Sequence, residues 1–492
     1  MKTLNLTLDN STKKLYLQIA FAIRYAIESG NVVSSEKLPS ARVLAEQLAV
    51  NRHTVMAAYH ELVAQGWVEA RHRQGYSVAA ILPIFSTKNV DKNLKNNQKN
   101  VVQRHTWRLA KSNDNKAMPT ASGYEFNFAG GNPDINLFPF NEFRGFMNQA
   151  LNRPDIKELN YGHNNGFSPF IHEVSKYLRR VRSITNKKII VVNGTQEALY
   201  IIAQVLIKTG DKIAVESLGY QPAWNAFNNA GAELIAVKQT DHGIDINHLE
   251  QLVKTQKIRL LYLTPLHQYP TTVTLAMSKR KKIYQLAQQY NFPIIEDDYD
   301  HEFHYNSQPL APMAANDPSG LVIYLSSFSK IMFPGIRLGL IAVDKSLVLP
   351  IVNYRALLNH KVNVPLQDAV ARWMKDGGFE RHLRKVTRHY QKRRQYMVEL
   401  LSQFIEDGLE IEFSIPAGGM ALWVNIGDKA QKIAEVARQQ GIFILAEHAF
   451  HLDQNNDQDK YIRLGFAGQN EQQLKQGLLR LKSILIEYVC KR

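Results

Sequence analysis

The 492-residue chain contains a single cysteine, Cys490, and no long run of apolar residues. One thiol excludes a disulfide framework and a cysteine-ligated metal site, and it favours a reducing compartment. The N-terminal residues lack the apolar stretch of a secretory signal, and the apolar segments further along are too short to cross a bilayer. These absences predict a cytoplasmic protein without a membrane anchor.

The net charge of +16 is unevenly distributed over a chain long enough for several folding units. Residues 1–122 contain 17 Lys and Arg against 8 Asp and Glu, so about a quarter of the chain carries +9 of this charge. A basic region suits binding to a polyanion, because neutralised phosphates release counterions. Charge alone fits a solvated basic surface equally well.

The N-terminal region has the spacing of a helix-turn-helix. An apolar residue at every fourth position predicts one buried face on a first helix. These residues are Leu15, Ile19, Ile23 and Ile27. Ser40 is placed to cap a second helix, and a turn at residues 49–51 leads into a third helix at about 52–65. The inward face of this third helix is predicted to comprise Val55, Tyr59, Leu62 and Val63.

Two short β segments follow, at residues 67–70 and 76–78, with a basic tip and Gly75 between them. This pattern predicts the hairpin wing of a winged helix-turn-helix domain. We therefore assign residues 1–79 to a DNA-binding domain. Residues 80–122 are rich in Asn and Lys and lack periodicity, which predicts a flexible linker.

From residue 123 onward, helical patterns alternate with short β-branched runs. Such alternation is typical of an α/β domain with a largely parallel sheet. We expect a larger part at about 160–346. A smaller α+β part is expected at about 347–492, together with residues 123–159.

A lysine at the end of a predicted strand, Lys330, is a candidate for covalent chemistry. Ser327 and Ser329 precede it, and Arg337 follows. A lysine can form a Schiff base with an aldehyde cofactor, while nearby hydroxyls and an arginine can bind the phosphate of that cofactor. Considered alone, Lys330 fits an exposed surface lysine better.

An acidic cluster at residues 296–298 ends another predicted strand. Ligands of α/β proteins bind at the carboxyl edge of the sheet, so Asp297 is placed to meet one there. A carboxylate in that position can keep a pyridine nitrogen protonated, and Tyr299 can hydrogen-bond a phenolic oxygen. A magnesium site is the main alternative, because this ion prefers oxygen ligands.

A third strand is followed by Asn193, the predicted N-cap of a helix that begins near Thr195 and Gln196. The amino terminus of a helix binds phosphate well, because its first amide groups have no partner within the helix. A simple helix cap explains the same residues without a ligand. Tyr220 follows the next strand and can cover a ring face, although a core aromatic is the default explanation.

Together these segments resemble fold-type I pyridoxal-phosphate enzymes of the aspartate-aminotransferase-like class. Residues 38–78 resemble the GntR family of winged helix-turn-helix regulators. The union of the two in this order resembles the MocR/GabR-type transcription regulators. The resemblance implies a multi-domain fold, with a winged helix-turn-helix domain joined to the type I fold of pyridoxal-phosphate-dependent transferases.

The resemblance also implies pyridoxal 5′-phosphate as cofactor. Lys330 would form the Schiff base, Asp297 would pair with the pyridine nitrogen, and Tyr299 would neighbour the phenolic oxygen. The phosphate would be bound by Thr195, Gln196, Ser327, Ser329 and Arg337, and Tyr220 would stack on the ring. Arg463 matches the arginine that holds the α-carboxylate of an amino acid. Tyr161 matches a tyrosine that reaches the cofactor phosphate of the partner subunit, which implies a head-to-tail homodimer.

In the DNA-binding part, the resemblance assigns phosphate contacts to Arg42 and Thr54. It assigns base reading to Arg52 and the wing turn to Gly75. The remaining basic positions of the predicted surface are His53, Arg71 and Arg73. Double-stranded operator DNA is the implied partner.

Two positions depart from the family pattern. Thr272 stands where the family usually has glycine, and Tyr269 precedes Pro270 where aminotransferases place an asparagine. We predict a regulator that senses pyridoxal phosphate, or an amine or amino-acid effector, through a Schiff base at Lys330. The alternative is an active aminotransferase that carries a DNA-binding head, and the sequence leaves open whether the chain is an enzyme.

Overall fold

The computed structural model describes residues 14–71, 75–83, 123–152, 156–160, 165–305, 309–453 and 459–489. The chain divides into two compact units, residues 1–113 and 114–492. The domain boundaries predicted at residues 79 and 122 are finer than this division and stay predictions. Within the described ranges, no helix is both long enough and apolar enough to span a membrane.

The described part of the N-terminal unit contains three helices followed by an antiparallel hairpin. The helices are α1 (Leu15–Glu28), α2 (Ala41–Gln47) and α3 (Arg52–Ala64), and the strands are β1 (Val68–Arg71) and β2 (Gly75–Val78). The Ser40 hydroxyl caps α2 by accepting a hydrogen bond from the Val43 amide at 3.3 Å. Asn51 caps α3 in the same way, accepting from the His53 amide at 2.9 Å. Each cap gives a partner to an amide that has none within its helix.

The core of this unit agrees with the predicted helix faces except at two residues. The buried members of the predicted faces are Ile19, Ile23, Ile27, Val55, Tyr59 and Leu62. Leu15 and Val63, by contrast, are 40% and 37% exposed, so those two predictions were wrong. Leu15 is the first residue of its helix, and Val63 lies about 100° around α3 from Leu62, away from the core.

The second unit is an α/β fold with a smaller α+β part. Its strands are β3 (Phe126–Asn127), β4 (Lys188–Val192), β5 (Lys212–Glu216), β6 (Glu233–Val237), β7 (Gln239–Thr240), β8 (Gly243–Ile244), β9 (Ile258–Leu263), β10 (Ile294–Asp297), β11 (Val322–Ser327), β12 (Gly339–Val343), β13 (Glu412–Phe413), β14 (Ala421–Asn425), β15 (Ile442–Phe443), β16 (Leu445–Ala446) and β17 (Tyr461–Gly465). Its helices are α4 (Phe140–Asn152), α5 (Ile156–Leu159), α6 (Ser168–Arg182), α7 (Thr195–Leu206), α8 (Gln221–Asn229), α9 (Ile246–Thr255), α10 (Met277–Tyr290), α11 (Lys345–Leu358), α12 (Val364–Lys375), α13 (Gly378–Glu406), α14 (Ala430–Gln439) and α15 (Glu471–Val489).

The main sheet has seven strands in the order β4-β12-β11-β10-β9-β5-β6. Six of them run in the same direction, and β12 is antiparallel to both of its neighbours. Successive residues of each strand belong to different apolar clusters, with Ile189 and Val191 in one and Ile190 and Val192 in the other. Strand geometry explains this alternation, because successive side chains point to opposite faces of the sheet. Both faces are therefore buried, as expected for a sheet with helices on each side.

The smaller part contains a four-stranded antiparallel sheet in the order β13-β14-β17-β16. Strand β3, from the beginning of the unit, pairs in parallel with β15 near its end. A third apolar cluster fills this part and includes Phe126, Tyr390 and Leu478. Segments far apart in the chain thus share one core.

Candidate functional site

A cleft opens where the parallel strands of the main sheet end. The segments after β4, β5, β9, β10 and β11 meet there, and because β12 runs the other way, the segment before β12 reaches the same edge. The cleft holds about 880 Å³ of empty space, part of it open to solvent. It is lined by nine of the residues predicted from sequence: Thr195, Gln196, Tyr220, Asp297, Tyr299, Ser327, Ser329, Lys330 and Arg337.

One end of the cleft is formed by the amino terminus of α7. Thr195 and Gln196 are its first two residues, and Gly194 is its N-cap with a φ of 91°. The predicted N-cap, Asn193, was one residue too early. Its amide donates instead to the carboxylate of Glu197, and the left-handed backbone needed next to it is one that glycine adopts easily. The first amide groups of α7 are therefore available to a ligand.

Hydroxyl groups and a guanidinium surround this helix end. The Ser327 hydroxyl donates to the Ser329 hydroxyl at 2.9 Å, and Arg337 Nη2 donates to the Asn193 carbonyl at 2.6 Å. A Cβ on Gly194 would lie 3.0 Å from Arg337 Nη2, so the glycine leaves room for the guanidinium. Amides, hydroxyls and a fixed positive charge together suit a phosphate group.

Asp297 lies in the middle of the cleft, at the end of β10. Its Oδ2 accepts a hydrogen bond from the Tyr262 hydroxyl at 2.9 Å, whereas its buried Oδ1 has no hydrogen-bond partner in the described part of the chain. Burial raises the pKa of Asp297 to about 7, although the Tyr262 hydrogen bond acts in the opposite direction. A buried carboxylate oxygen without a partner fits the N–H of a protonated ring nitrogen.

Lys330 lies across the cleft at the end of the loop after β11. Its Nζ donates to the Gly131 carbonyl at 2.5 Å. Burial, and next the positive charge of Arg463, lower the pKa of Lys330 to about 8. A larger fraction of the amine is therefore neutral near pH 7 than in an exposed lysine, and the neutral amine is the nucleophile.

Three tyrosines form an aromatic wall of the cleft. The rings of Tyr220 and Tyr269 meet edge to face with centroids 5.6 Å apart, and those of Tyr269 and Tyr299 do so at 6.2 Å. The Tyr299 hydroxyl donates to the main-chain carbonyl of His267 at 3.1 Å. Neighbouring rings are nearly perpendicular, so a planar ligand ring can pack against an individual tyrosine of this wall.

Arg463 lies behind the cleft on β17 and is completely buried. Its hydrogen bonds go to the carbonyls of Ala129 and Pro270, at 3.2 and 3.3 Å, and its guanidinium lies over the Tyr269 ring. A Cβ on Gly130, which lines the cleft, would overlap Arg463 Nη1. Arg463 therefore contacts Gly130, a residue that lines the cleft, without lining the cleft itself.

The carboxylates of the acidic cluster at residues 296–298 do not point toward one common position, as a magnesium site would require. Asp298 accepts a hydrogen bond from Tyr324 and forms an ion pair with Arg182, and Glu296 accepts from the amides of residues 313 and 314. Alternation along β10 sends these side chains away from Asp297. Within the described ranges, no three acidic, histidine or cysteine side chains are grouped to hold a metal ion.

Sequence reasoning did not identify six cleft residues as part of the site: Gly130, Gly131, Tyr262, Thr264, Tyr269 and Pro334. Tyr262 and Thr264 lie at the end of β9, so the strand-end rule that found Asp297 would also have found them. Gly131 comes from a segment about 200 residues before Lys330, and no local pattern connects the two. The predicted Tyr161 and Arg73 lie outside the described residues.

The predicted DNA-contacting residues lie on the surface of the N-terminal unit. Arg52 and His53 are exposed at the start of α3, and Thr54 is half-buried beside them. On α2, the side chain of Arg42 is 80% exposed. The wing carries Arg71, which is exposed, and Gly75, whose φ of 87° allows the tight turn.

Residues 137–481 match the family model described as aminotransferase class I and II, and residues 15–78 match that of bacterial regulatory proteins of the gntR family. The first match covers more than half of the chain, which therefore belongs to the aminotransferase class I and II family. With the gntR-type segment before it, the chain is a fusion of the MocR type. The predicted fold class and family are thereby confirmed.

Proteins of both kinds are similar to the chain. The probable rhizopine catabolism regulatory protein MocR of Rhizobium meliloti is 28% identical over 96% of this chain and 94% of that protein. Aromatic-amino-acid aminotransferase 1 of Thermococcus litoralis is 30% identical over 74% of this chain and 89% of its own length. The solved structure of Pyrococcus horikoshii kynurenine aminotransferase in complex with PMP covers 75% of this chain and 92% of its own, with a TM-score of 0.69 and 29% identity.

Proposed function

We propose that the chain is a cytoplasmic transcription regulator that binds operator DNA through its N-terminal unit and senses a small molecule in the cleft of its second unit. The observation that carries the proposal is the presence of an exposed helix-turn-helix surface and a well-formed cofactor cleft on one chain. A regulator related over nearly the whole length favours this function over that of an aminotransferase, to which only the second unit is related.

Pyridoxal 5′-phosphate is the cofactor of the second unit. Its aldehyde exchanges one amine for another, and its protonated ring withdraws electrons. The partnerless Oδ1 of Asp297, the lowered pKa of Lys330 and the anion-binding end of α7 all suit this molecule.

Each side chain of the cleft then has one task in the proposal. Lys330 supplies the amine, Asp297 keeps the ring nitrogen protonated, and Tyr299 lies next to the phenolic oxygen. Tyr220 covers one ring face. The phosphate is held by Thr195, Gln196, Ser327, Ser329 and Arg337, and Tyr161 serves the partner subunit of a head-to-tail homodimer.

The effector in this proposal is pyridoxal phosphate itself or an amine that replaces Lys330 on it. Arg463 selects amino acids, because its buried positive charge lies next to the cleft and its described hydrogen bonds go only to carbonyl oxygens. A carboxylate near Arg463 therefore gains a charge-assisted hydrogen bond. Coupling to DNA requires that the effector favour one arrangement of the dimer over another.

On DNA, Arg42 and Thr54 position the unit on the phosphates, while Arg52 and His53 meet base edges in the major groove. Arg71, Arg73 and the turn at Gly75 form a wing that contacts the backbone. The affinity should fall steeply with salt, since several phosphate contacts release counterions.

The proposal is tested with the full chain, an operator fragment, pyridoxal phosphate and a panel of amines. Lys330→Ala should lose the borohydride-stable adduct and the response of operator affinity to amines, while it still binds the operator. Lys345→Ala, at an exposed lysine, is the matched control and should keep both. An adduct retained in Lys330→Ala would show that another lysine reacts.

Turnover separates the two candidate functions. Incubation with α-ketoglutarate and an amino-acid panel should yield little product beyond one equivalent per cofactor. Many turnovers, with operator affinity indifferent to every amine, would instead establish an aminotransferase with a DNA-binding head.

A further inference from the structure

A buried histidine and a buried aspartate contact each other behind the cleft. Nδ1 of His267 lies 2.7 Å from Oδ1 of Asp300, and the two side chains are 0% and 2% exposed. His267 follows β9 and Asp300 follows β10, so this contact joins two neighbouring loops at the edge of the sheet. Neither residue lines the cleft.

The other polar atoms of the two side chains are enclosed. In the described part of the chain, His267 Nε2 and Asp300 Oδ2 have no hydrogen-bond partner. A Cβ on Gly418 would lie 2.5 Å from His267 Nε2, and one on Gly419 would lie 3.4 Å from Asp300 Oδ2. Buried polar atoms without partners cost stability, so stability alone does not account for this arrangement.

The first link from the pair to the cleft is Tyr299. Its hydroxyl donates to the main-chain carbonyl of His267, and Tyr299 immediately precedes Asp300 in the chain. The contact between His267 and Asp300 therefore holds together the two loops that this hydrogen bond also joins. Tyr299 itself faces the cleft.

The second link is electrostatic. Burial and the charge of Arg463 lower the pKa of Lys330, and Asp300 opposes them more strongly than Asp297 does. The negative charge with the largest effect on Lys330 thus belongs to a residue outside the cleft.

We propose that His267 and Asp300 form a positioning pair, in which the contact between them fixes the Asp300 carboxylate and joins the two loops that hold Tyr299 in place. The pair acts through Lys330 and Tyr299 and does not touch the cofactor. It sets how readily the Lys330 amine reacts with an aldehyde, and so deepens the proposed function, since it rests on the role proposed for Lys330.

Other titratable groups surround the pair. Those within electrostatic reach of Asp300 on the side of the cleft are Asp297, Tyr299 and Lys330, and those along the following segment are His301, Glu302, His304 and Tyr305. The His304 ring stacks on that of His267 with centroids 5.8 Å apart, and burial lowers the pKa of His304. Because these neighbours are the same in every variant, a difference from the wild-type profile reports on the pair.

The experiment measures how fast the full chain, freed of cofactor, captures pyridoxal phosphate at Lys330 between about pH 6 and about pH 10, a range that includes ordinary and lowered lysine pKa values. Borohydride fixes the adduct, and peptide mass spectrometry quantifies it. The wild-type rate should rise to a plateau with a midpoint near pH 8, where the Lys330 amine loses its proton. Asp300→Asn should move this midpoint down by about one pH unit, because a nearby negative charge no longer stabilises the charged amine.

Variants of His267 distinguish a pair from two independent residues. His267→Ala should move the midpoint in the same direction as Asp300→Asn, because the Asp300 carboxylate then loses the contact that fixes its position. His267→Asn keeps a donor near the position of Nδ1 and should stay close to wild type. The double variant His267→Ala/Asp300→Asn should match Asp300→Asn alone. Asp298→Asn, which removes a buried charge paired with Arg182, should leave the midpoint unchanged.

If the midpoint of Asp300→Asn equals that of wild type, or if the double variant shows a further shift, the proposal that His267 and Asp300 act as a pair is overturned. If His267→Ala does not fold, the comparison of Asp300→Asn with His267→Asn decides, and equal shifts in both would count against the pair. Operator affinity that ignores pyridoxal phosphate and every amine would refute the proposed function instead, whatever the capture profile shows.

Discussion

Replacing Asp297 by asparagine should stabilise the cofactor-free protein and weaken it as a receptor for pyridoxal phosphate. Folding raises the pKa of this carboxyl from 3.8 to about 7, mainly through burial. A group whose pKa is raised on folding contributes stability below its unfolded pKa, and this contribution is lost as the pH rises through the folded value. At about 1.36 kcal/mol per pKa unit, the ionised carboxyl costs about 4 kcal/mol at alkaline pH.

We expect a measured gain of about 1–3 kcal/mol for Asp297→Asn, because an interior relaxes around a buried charge and its effective dielectric is high. The amide keeps an oxygen that accepts from Tyr262 and has no charge to bury. The gain should be present at about pH 9 and nearly absent at about pH 4, close to the unfolded pKa. Saturating pyridoxal phosphate should reverse the order, since only the carboxylate pairs with a protonated ring nitrogen.

Denaturant unfolding measures this, with tryptophan fluorescence reporting the second unit through Trp224, Trp373 and Trp423. Asp298→Asn is the control, and for this variant the expected change in the free energy of unfolding has the opposite sign. Burial raises the pKa of Asp298, but the Arg182 charge and the Tyr324 hydrogen bond, with the other nearby groups, together outweigh burial. The net shift is downward, so this variant should be less stable at neutral pH. If cofactor-free Asp297→Asn is no more stable than wild type at about pH 9, the conclusion that the buried Asp297 carboxylate costs stability is refuted.

Three further variants test local features. Arg52→Ala should reduce discrimination between operator and random DNA more than Arg42→Ala does, and equal losses on both duplexes would contradict the base-reading role. Asn51→Ala should lower the free energy of unfolding of the N-terminal unit by about 1 kcal/mol, since the His53 amide loses its acceptor; an unchanged value would show that the cap contributes nothing. Thr272→Gly should raise the stability of the second unit by up to about 1 kcal/mol, because Thr272 has a φ of 63° that disfavours a β-branched residue. A decrease would mean that packing of the buried Thr272 side chain outweighs backbone strain.

Local chemistry made much of the cleft predictable. A strand followed by polar residues places them at the carboxyl edge of a sheet, and this rule predicts Asp297, Tyr220 and Lys330 from the sequence alone. The same rule was imprecise at Asn193, because the choice of N-cap depended on the backbone that Gly194 adopts. Arg463 was assigned through family resemblance, since its strand lies in the other sheet.

The sequence by itself determined the local elements: the helix caps at Ser40 and Asn51, the alternation of β10 and the basic surface of α3. It did so because these features depend on residues within a few positions of each other. Only the tertiary structure decided which loops meet. Arg337 reaches the cleft because β12 runs antiparallel to its neighbours, and Gly131 accepts from Lys330 although the two are 199 residues apart. Strand order and direction are set by packing across the whole unit, and no local pattern encodes them.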